Sequence, residues 1–292
     1  MEIQATITKI IYPNTKTDPT DNPFHVLVTD LGKAVGDVFF DTCVGQILTL
    51  TGEWKKNPSF GGRDFKFTGA RIFVPTDPKA ILHLAVARTK GMGEATELKI
   101  WDAFGATWRD ESELTGIPGV SEAVLFHFKQ AKSALAFEKV QTEAIAYLLA
   151  HGCTDNLAAK AWKQWKDLAI SKVAANPFIL ADLPSYGFAA IDRLVRPSFN
   201  IADDDPRRVQ ACAFFILRQQ TGESNNTVIP RANIIGGVLA TCGVSISEIE
   251  NAIDVLIDAK RFALLNEKTK APMLALGIDY RNERIISRWI MK

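Results

Sequence analysis

Lys90 to Gly105 reads KGMGEATELKIWDAFG, a Gly-apolar-Gly turn that opens a helical pattern, and ILHLAVA lies just upstream as a second helical run. Together they predict a helix-hairpin-helix. Gly91 and Gly93 let the chain reverse tightly, Met92 between them plugs the hairpin into its own core, and the amides that start the next helix face outward. Such amides suit a phosphate oxygen, so Lys90, Gly91, Met92 and Gly93 are candidate contacts to a nucleic-acid backbone. An ordinary helical turn without a ligand would use the same residues, and the choice rests on the neighbours.

The nearest neighbour is a second copy. Leu114 to Phe128, LTGIPGVSEAVLFHF, again places an apolar segment, a Gly119-Val120 turn and a helix opening at Ser121. Two such hairpins stacked together would present two sets of amides to phosphates, which gives binding independent of base sequence. Gly119, Val120 and Ser121 therefore join the candidate contacts, although Ser121 stands where a second glycine is usual and a weaker phosphate contact is expected there.

Composition bounds the partner. The chain has 292 residues, 47% apolar and 23% charged, which suits a folded protein of several modest domains rather than a disordered one. The formal net charge is +1, so binding to nucleic acid would rest on local geometry and a few cations, not on a bulk basic field. Cys43, Cys153, Cys212 and Cys242 lie far apart without CxxC and read as buried thiols in a reducing cytoplasm. His25, His83, His127 and His151 lack metal-ligand spacing, and no apolar run reaches the ~18 residues of a membrane span. No metal, no cofactor and no membrane contact are expected.

Along the chain, residues 1–77 alternate in short β-rich runs, IQATITKII, FHVLVTDL, VFFDTC, QILTLTGEW and DFKFTGARIFV. Five such strands predict a small OB-like barrel. Trp54, Phe60 and Arg63, with Phe65, could form its face for a single strand, or Trp54 and Phe65 could fill the barrel core. Residues 78–150 turn helical and hold both hairpins, followed by VQTEAIAYLLAHG with Ile145, Leu148 and Leu149 on one stripe. Residues 151–203 read as a further helical, hairpin-like unit, in which Trp162 and Trp165 interleaved with Lys160, Lys163 and Lys166 are either core or a stacking stripe.

Residues 204–292 open with Asp205 as a helix cap and Pro206 at the first helical position, which explains Asp203-Asp204-Asp205 without a metal. A helix near Arg231 to Thr241 follows, then one starting at Ser245 with Glu248 in capping-box register. FALLN and MLALGI around EKTK form a β-hairpin, so a winged helix is predicted, with Lys268 and Lys270 on its wing as candidate DNA contacts. The fold class is thus α+β and multidomain. There is no GxxxxGK[ST], no GxSxG, no HExxH and no compact carboxylate set, and no catalytic residue is nominated.

The order of parts carries a resemblance. GEW with NPSFGGRDF, then KGMG and FG, then GIPGVS, ANPFIL, YGFAAIDRL and DDPRRVQA, resembles the amino-terminal, non-motor region of RecD-like DNA helicases along nearly the whole chain. The resemblance implies a DNA-binding portion that guides single-stranded or forked DNA to a 5′ to 3′ motor in cis or in trans, in the cytoplasm. Gly91, Met92, Gly93 and the Phe104-Gly105 exit match the family's first turn, whereas Glu97 and Ser121 depart from it. Barrel plus tandem hairpins is also the layout of Holliday-junction proteins, and an interaction scaffold without DNA affinity is a third reading.

Overall fold

The structure is a computed structural model and describes residues 1–13, 23–57, 61–108, 111–224, 226–266 and 271–290. Two compact units divide it, Met1–Tyr147 with Ala158–Asp167, and Leu148–Leu157 with Leu168–Lys292.

The first unit starts with β1 (Glu2–Tyr12), β2 (Phe24–Thr29), β3 (Gly32–Asp37), β4 (Ile47–Lys56) and β5 (Arg63–Ile72). They close into a barrel in the order β1-β2-β3-β5-β4, with β3 parallel to β5 and the other pairings antiparallel. This is the expected OB-like barrel. The period-2 pattern explains its core: Ala5 and Ile7, Leu48 and Leu50, and Phe65 and Phe67 all point inward and are buried. The third strand is GKAVGD, however, and not VFFDTC, whose residues past Val38 form a loop. Gly36 is the reason, because a Cβ there would lie 2.2 Å from the Phe67 carbonyl oxygen of the parallel neighbour.

Helices α1 (Pro78–Ala87), α2 (Glu94–Phe104) and α3 (Glu122–Ala150) follow, with a 3₁₀ segment at Glu111–Gly116. Asp77 caps α1 by accepting from the Ala80 amide at 2.8 Å, and Pro78 sits at its first turn. Leu82, Ile100, Trp108, Leu114 and Phe128 form a buried core under both hairpins. Trp108 settles its polar edge by donating from Nε1 to the Pro78 carbonyl at 3.0 Å. The run VQTEAIAYLLA is not a separate helix but the second half of α3, which spans 29 residues without a break. Arg88, at the end of α1, forms a buried pair with Glu138 of α3 at 3.0 Å and donates from Nε to the Gly45 carbonyl at 3.1 Å. Gln46 adds a 3.2 Å bond to the same carboxylate, so this cluster ties the barrel's loop to the hairpins.

Helix α4 (Asp155–Trp165) runs from the second unit into the first. Trp162 is buried and Trp165 half-buried, with Lys166 over the Trp162 ring.

In the second unit, α5 (Ala169–Ala175), a 3₁₀ segment at Pro177–Asp182 and α6 (Phe188–Phe199) lead to α7 (Pro206–Ser224). There follow β6 (Val228–Pro230), α8 (Arg231–Cys242), α9 (Ile246–Asp258), β7 (Phe262–Leu265), β8 (Met273–Leu276) and α10 (Gly277–Ile290). The strands form a small antiparallel sheet, β6-β8-β7. Local signals set the ends. Asp205 accepts from the Arg207 amide at 2.8 Å, and Ser245 with Glu248 makes a complete capping box. Ile249, Ile253 and Leu256 of α9 are buried as their spacing requires. Arg208, only 4% exposed, donates to both Asp192 oxygens at 2.8 and 3.0 Å and to the Asp203 carbonyl at 2.7 Å.

The cysteines are less uniform than expected. Cys153 and Cys212 are buried, Cys242 is half-buried and Cys43 is exposed. Burial pushes the Cys153 thiol up to about 11, which leaves it protonated and inert. No single helix among the described residues is long and apolar enough to cross a membrane.

Candidate nucleic-acid interface

The two hairpins are built on one template with an offset of 28 residues. In the first turn Thr89 N donates to the Val86 carbonyl and Met92 N to the Thr89 carbonyl; in the second Ile117 N donates to Leu114 and Val120 N to Ile117. Gly91 has φ +91° and Gly119 φ +101°, a left-handed region that glycine enters without strain. Met92 packs half-buried against the core and Val120 is buried, as plugs should be. Lys90, Gly91, Gly93, Gly119 and Ser121 are exposed.

The contacts between the hairpins are reciprocal. A Cβ on Gly91 would lie 3.1 Å from Val124 Cγ2, and one on Gly119 would lie 4.0 Å from Thr96 Oγ1. Thr96 and Val124 are themselves 28 residues apart, so each turn rests on the equivalent position of the other's helix. Lys99 reinforces the pair by donating to the Pro118 carbonyl at 3.3 Å.

The helix starts differ. Gly93 precedes α2 with φ −149°, has no side-chain cap and faces open space, since nothing lies within 4 Å of where a Cβ would be. Ser121 instead accepts from the Val124 amide at 3.4 Å and so fills one donor of its own helix. Glu97, which departs from the family pattern, is 9% exposed and is satisfied by His83, whose Nδ1 lies 2.8 Å from the carboxylate. Its equivalent in the second hairpin is the buried Leu125.

On the barrel, Trp54 is half-buried with its ring edge-on to the buried Phe65 at 5.3 Å, while Arg63 is exposed at the end of β5. Arg63 pairs in register with Lys56, two residues beyond Trp54, so the barrel brings Trp54 and Arg63 to one end of the β4-β5 ladder. Phe60, Lys268 and Lys270 lie outside the described residues.

A third turn of the same design lies in the second unit. Leu183 N donates to Leu180 and Tyr186 N to Leu183, Ser185 has φ +70°, and Gly187 precedes α6 without a side-chain cap. The sequence LPSYG, set beside IPGVS, carried this signal in its shared proline and its spacing of apolar residues. A related turn joins α3 to α4: Gly152 has φ +84°, the amides of Gly152 and Cys153 donate to Leu149 and Leu148, and His151 stacks on Phe199 of α6 at 4.5 Å.

Two comparisons with known proteins find similarity. The family described as the ATP-dependent RecD2 DNA helicase HHH domain matches residues 138–228, which contain the α3-α4 turn and the third hairpin. An ATP-dependent RecD2 DNA helicase of Deinococcus radiodurans is 25% identical over 182 residues, which cover 61% of this chain. The chain spans about a quarter of that relative's length. With its barrel followed by helical hairpin domains, the chain is similar to the amino-terminal, non-motor region of RecD-like DNA helicases.

Proposed function

We propose that this chain binds DNA through backbone contacts and holds single-stranded or forked DNA for a helicase motor, present in cis or in trans, during recombination, repair or replication in the cytoplasm. The observation that carries the reading is the uncapped, open start of α2 at Gly93, in a turn whose register recurs at Ser121. Amide donors without an internal partner are available to an external phosphate, and Lys90 stands beside them. The similarity to RecD2 helicases supports the same reading.

The domain limits proposed for this role are 1–77 for the barrel, 78–150 for the tandem hairpins, 151–203 for the third hairpin's unit and 204–292 for a winged helix. The order helix, strand, helix, helix and two-stranded hairpin from Pro206 to Leu276 supports the last. The barrel contributes Trp54, Phe60 and Arg63, and the wing Lys268 and Lys270.

The test is fluorescence anisotropy on a 5′-tailed fork, a blunt duplex and a four-way junction of matched length, at two salt concentrations. The fork is expected to bind most tightly, with an affinity that falls steeply with salt. Preference for the four-way junction would replace this reading with junction recognition, and no binding to any DNA at low salt would leave an interaction scaffold.

A further inference from the structure

Beside the third hairpin, α7 and the 3₁₀ segment Pro177–Asp182 enclose a cavity of about 150 Å³. That is room for a phosphate group, since about 10–15 Å³ of such space already admits a water molecule. Three arginines line it: Arg207 and Arg218 from α7, and Arg261 from the residue before β7. Arg207 is held by both Asp205 oxygens, at 3.0 and 2.7 Å, and donates to the Ala175 carbonyl at 3.1 Å. Arg261 lies over the Phe214 ring with Cζ 3.9 Å from its centre, and its Nη2 donates to Asp182 at 3.2 Å. Among the described residues, Arg218 has no acidic partner, and its side chain lies at the exposed end of the same helical stripe.

The charges fix the kind of ligand. Three guanidinium groups face two carboxylates, which leaves a single positive charge at a site whose other two cations are already oriented. A phosphodiester carries one negative charge and acceptor oxygens that fit a guanidinium fork. A base stacked on an aromatic ring is the competing occupant, but Phe262 and Arg261 already cover Phe214, whose ring lies 14° from the plane of Phe262. Among the described residues, the turns of the tandem hairpins hold no comparable cluster of arginines, and Lys90 is the exposed cation within the first turn.

We infer that this cavity is a phosphate subsite for a nucleic-acid strand, with Arg218 as the main contact and Arg261 and Arg207 as fixed donors. The inference rests on the DNA-binding reading and adds to it a contact in the second unit. Asp182, which orients Arg261, immediately precedes Leu183 of the third turn, so the subsite and that hairpin adjoin along the chain.

The experiment compares the parent chain with Arg218→Ala, Arg218→Lys and Lys139→Ala, the last removing the same charge from an exposed position on α3. Anisotropy on the 5′-tailed fork is read at several salt concentrations, and circular dichroism checks folding. Arg218→Ala is expected to weaken binding about tenfold and to lower the slope of log K against log salt by about one unit. Arg218→Lys should restore the slope but only part of the affinity, because an ammonium lacks the fork. Equal losses in Arg218→Ala and Lys139→Ala would reduce the effect to bulk charge and overturn the subsite. Parent-like DNA binding by Arg218→Ala, with inorganic phosphate raising the melting temperature of the parent alone, would make the cavity a site for a free anion and also overturn it. If the parent itself binds no DNA, the functional reading falls first and the subsite with it.

Discussion

The first and second hairpins share a backbone and differ at their helix starts. Their turns have the same hydrogen-bond register and nearly the same glycine φ, yet Gly93 leaves the first amides of α2 without a side-chain partner while Ser121 fills one in α3. The difference separates two uses of one turn. A helix that caps itself gains local stability, whereas a helix that does not keeps its donors for something outside. The first hairpin is also the better anchored: Arg88, immediately before its turn, makes the buried pair with Glu138, and the equivalent position in the second hairpin is Gly116.

The anchor gives the largest expected effect. Arg88→Ala leaves Glu138 buried without its cation and should lower unfolding free energy by roughly 3–5 kcal/mol. Urea denaturation measures this, and a loss below about 1 kcal/mol would show that the two hairpins need no separate anchoring. Next comes Gly93→Val, which should fold normally, since its φ of −149° is extended and its surroundings are open. DNA affinity should fall by roughly 1–3 kcal/mol through a blocked phosphate approach. Lys90→Ala should weaken binding less and reduce the salt slope by about one unit. A folded Gly93→Val chain that binds the fork like the parent would make the first turn as self-contained as the second.

Caps supply the smaller effects. Asp205 caps α7 with a charged group, and its hydrogen bond from Arg207 holds its carboxyl below the usual carboxylate range, with the Arg207 and Arg208 amides adding to this. Because the folded value is depressed, the cap's contribution is fully present above the unfolded value of about 3.9 and disappears as pH falls through the folded one. Stability followed by denaturation from pH 6 downward should therefore show an acid limb that Asp205→Asn flattens while keeping the neutral part of the cap. Ser121 is a neutral cap and should contribute no such limb. Ser121→Gly should lower stability by only a few tenths of a kcal/mol and leave DNA affinity equal to or above the parent's. A marked loss of DNA binding in Ser121→Gly would mean that the hydroxyl itself touches the strand.

Much of this was legible in the sequence because it is encoded locally. The barrel follows from alternation in IQATITKII and QILTLTGEW, and the first two hairpins from Gly-apolar pairs at a fixed spacing. The capping residues Asp205 and Ser245 announced their helices. Where the reading failed, a tertiary contact decided. GKAVGD has little strand propensity of its own, and VFFDTC looks far better, but only a glycine fits at position 36 against the Phe67 backbone. The third hairpin was not singled out as a contact because Ser185, not glycine, occupies its left-handed position, so a search keyed on Gly-x-Gly passes over it. The arginine cavity could not be read at all, since Asp182, Arg218 and Arg261 meet only through folding.

Arg208 has a consequence for motion. One guanidinium is shared by Asp192 on α6, the Asp203 carbonyl and, at 3.4 Å, the Cys242 carbonyl that ends α8. None of these segments can open without leaving a buried cation and several acceptors unmatched. Amides in α6, α7 and α8 should therefore exchange with solvent deuterium as one cooperative block, so that the helix behind the third hairpin breathes only when its neighbours do.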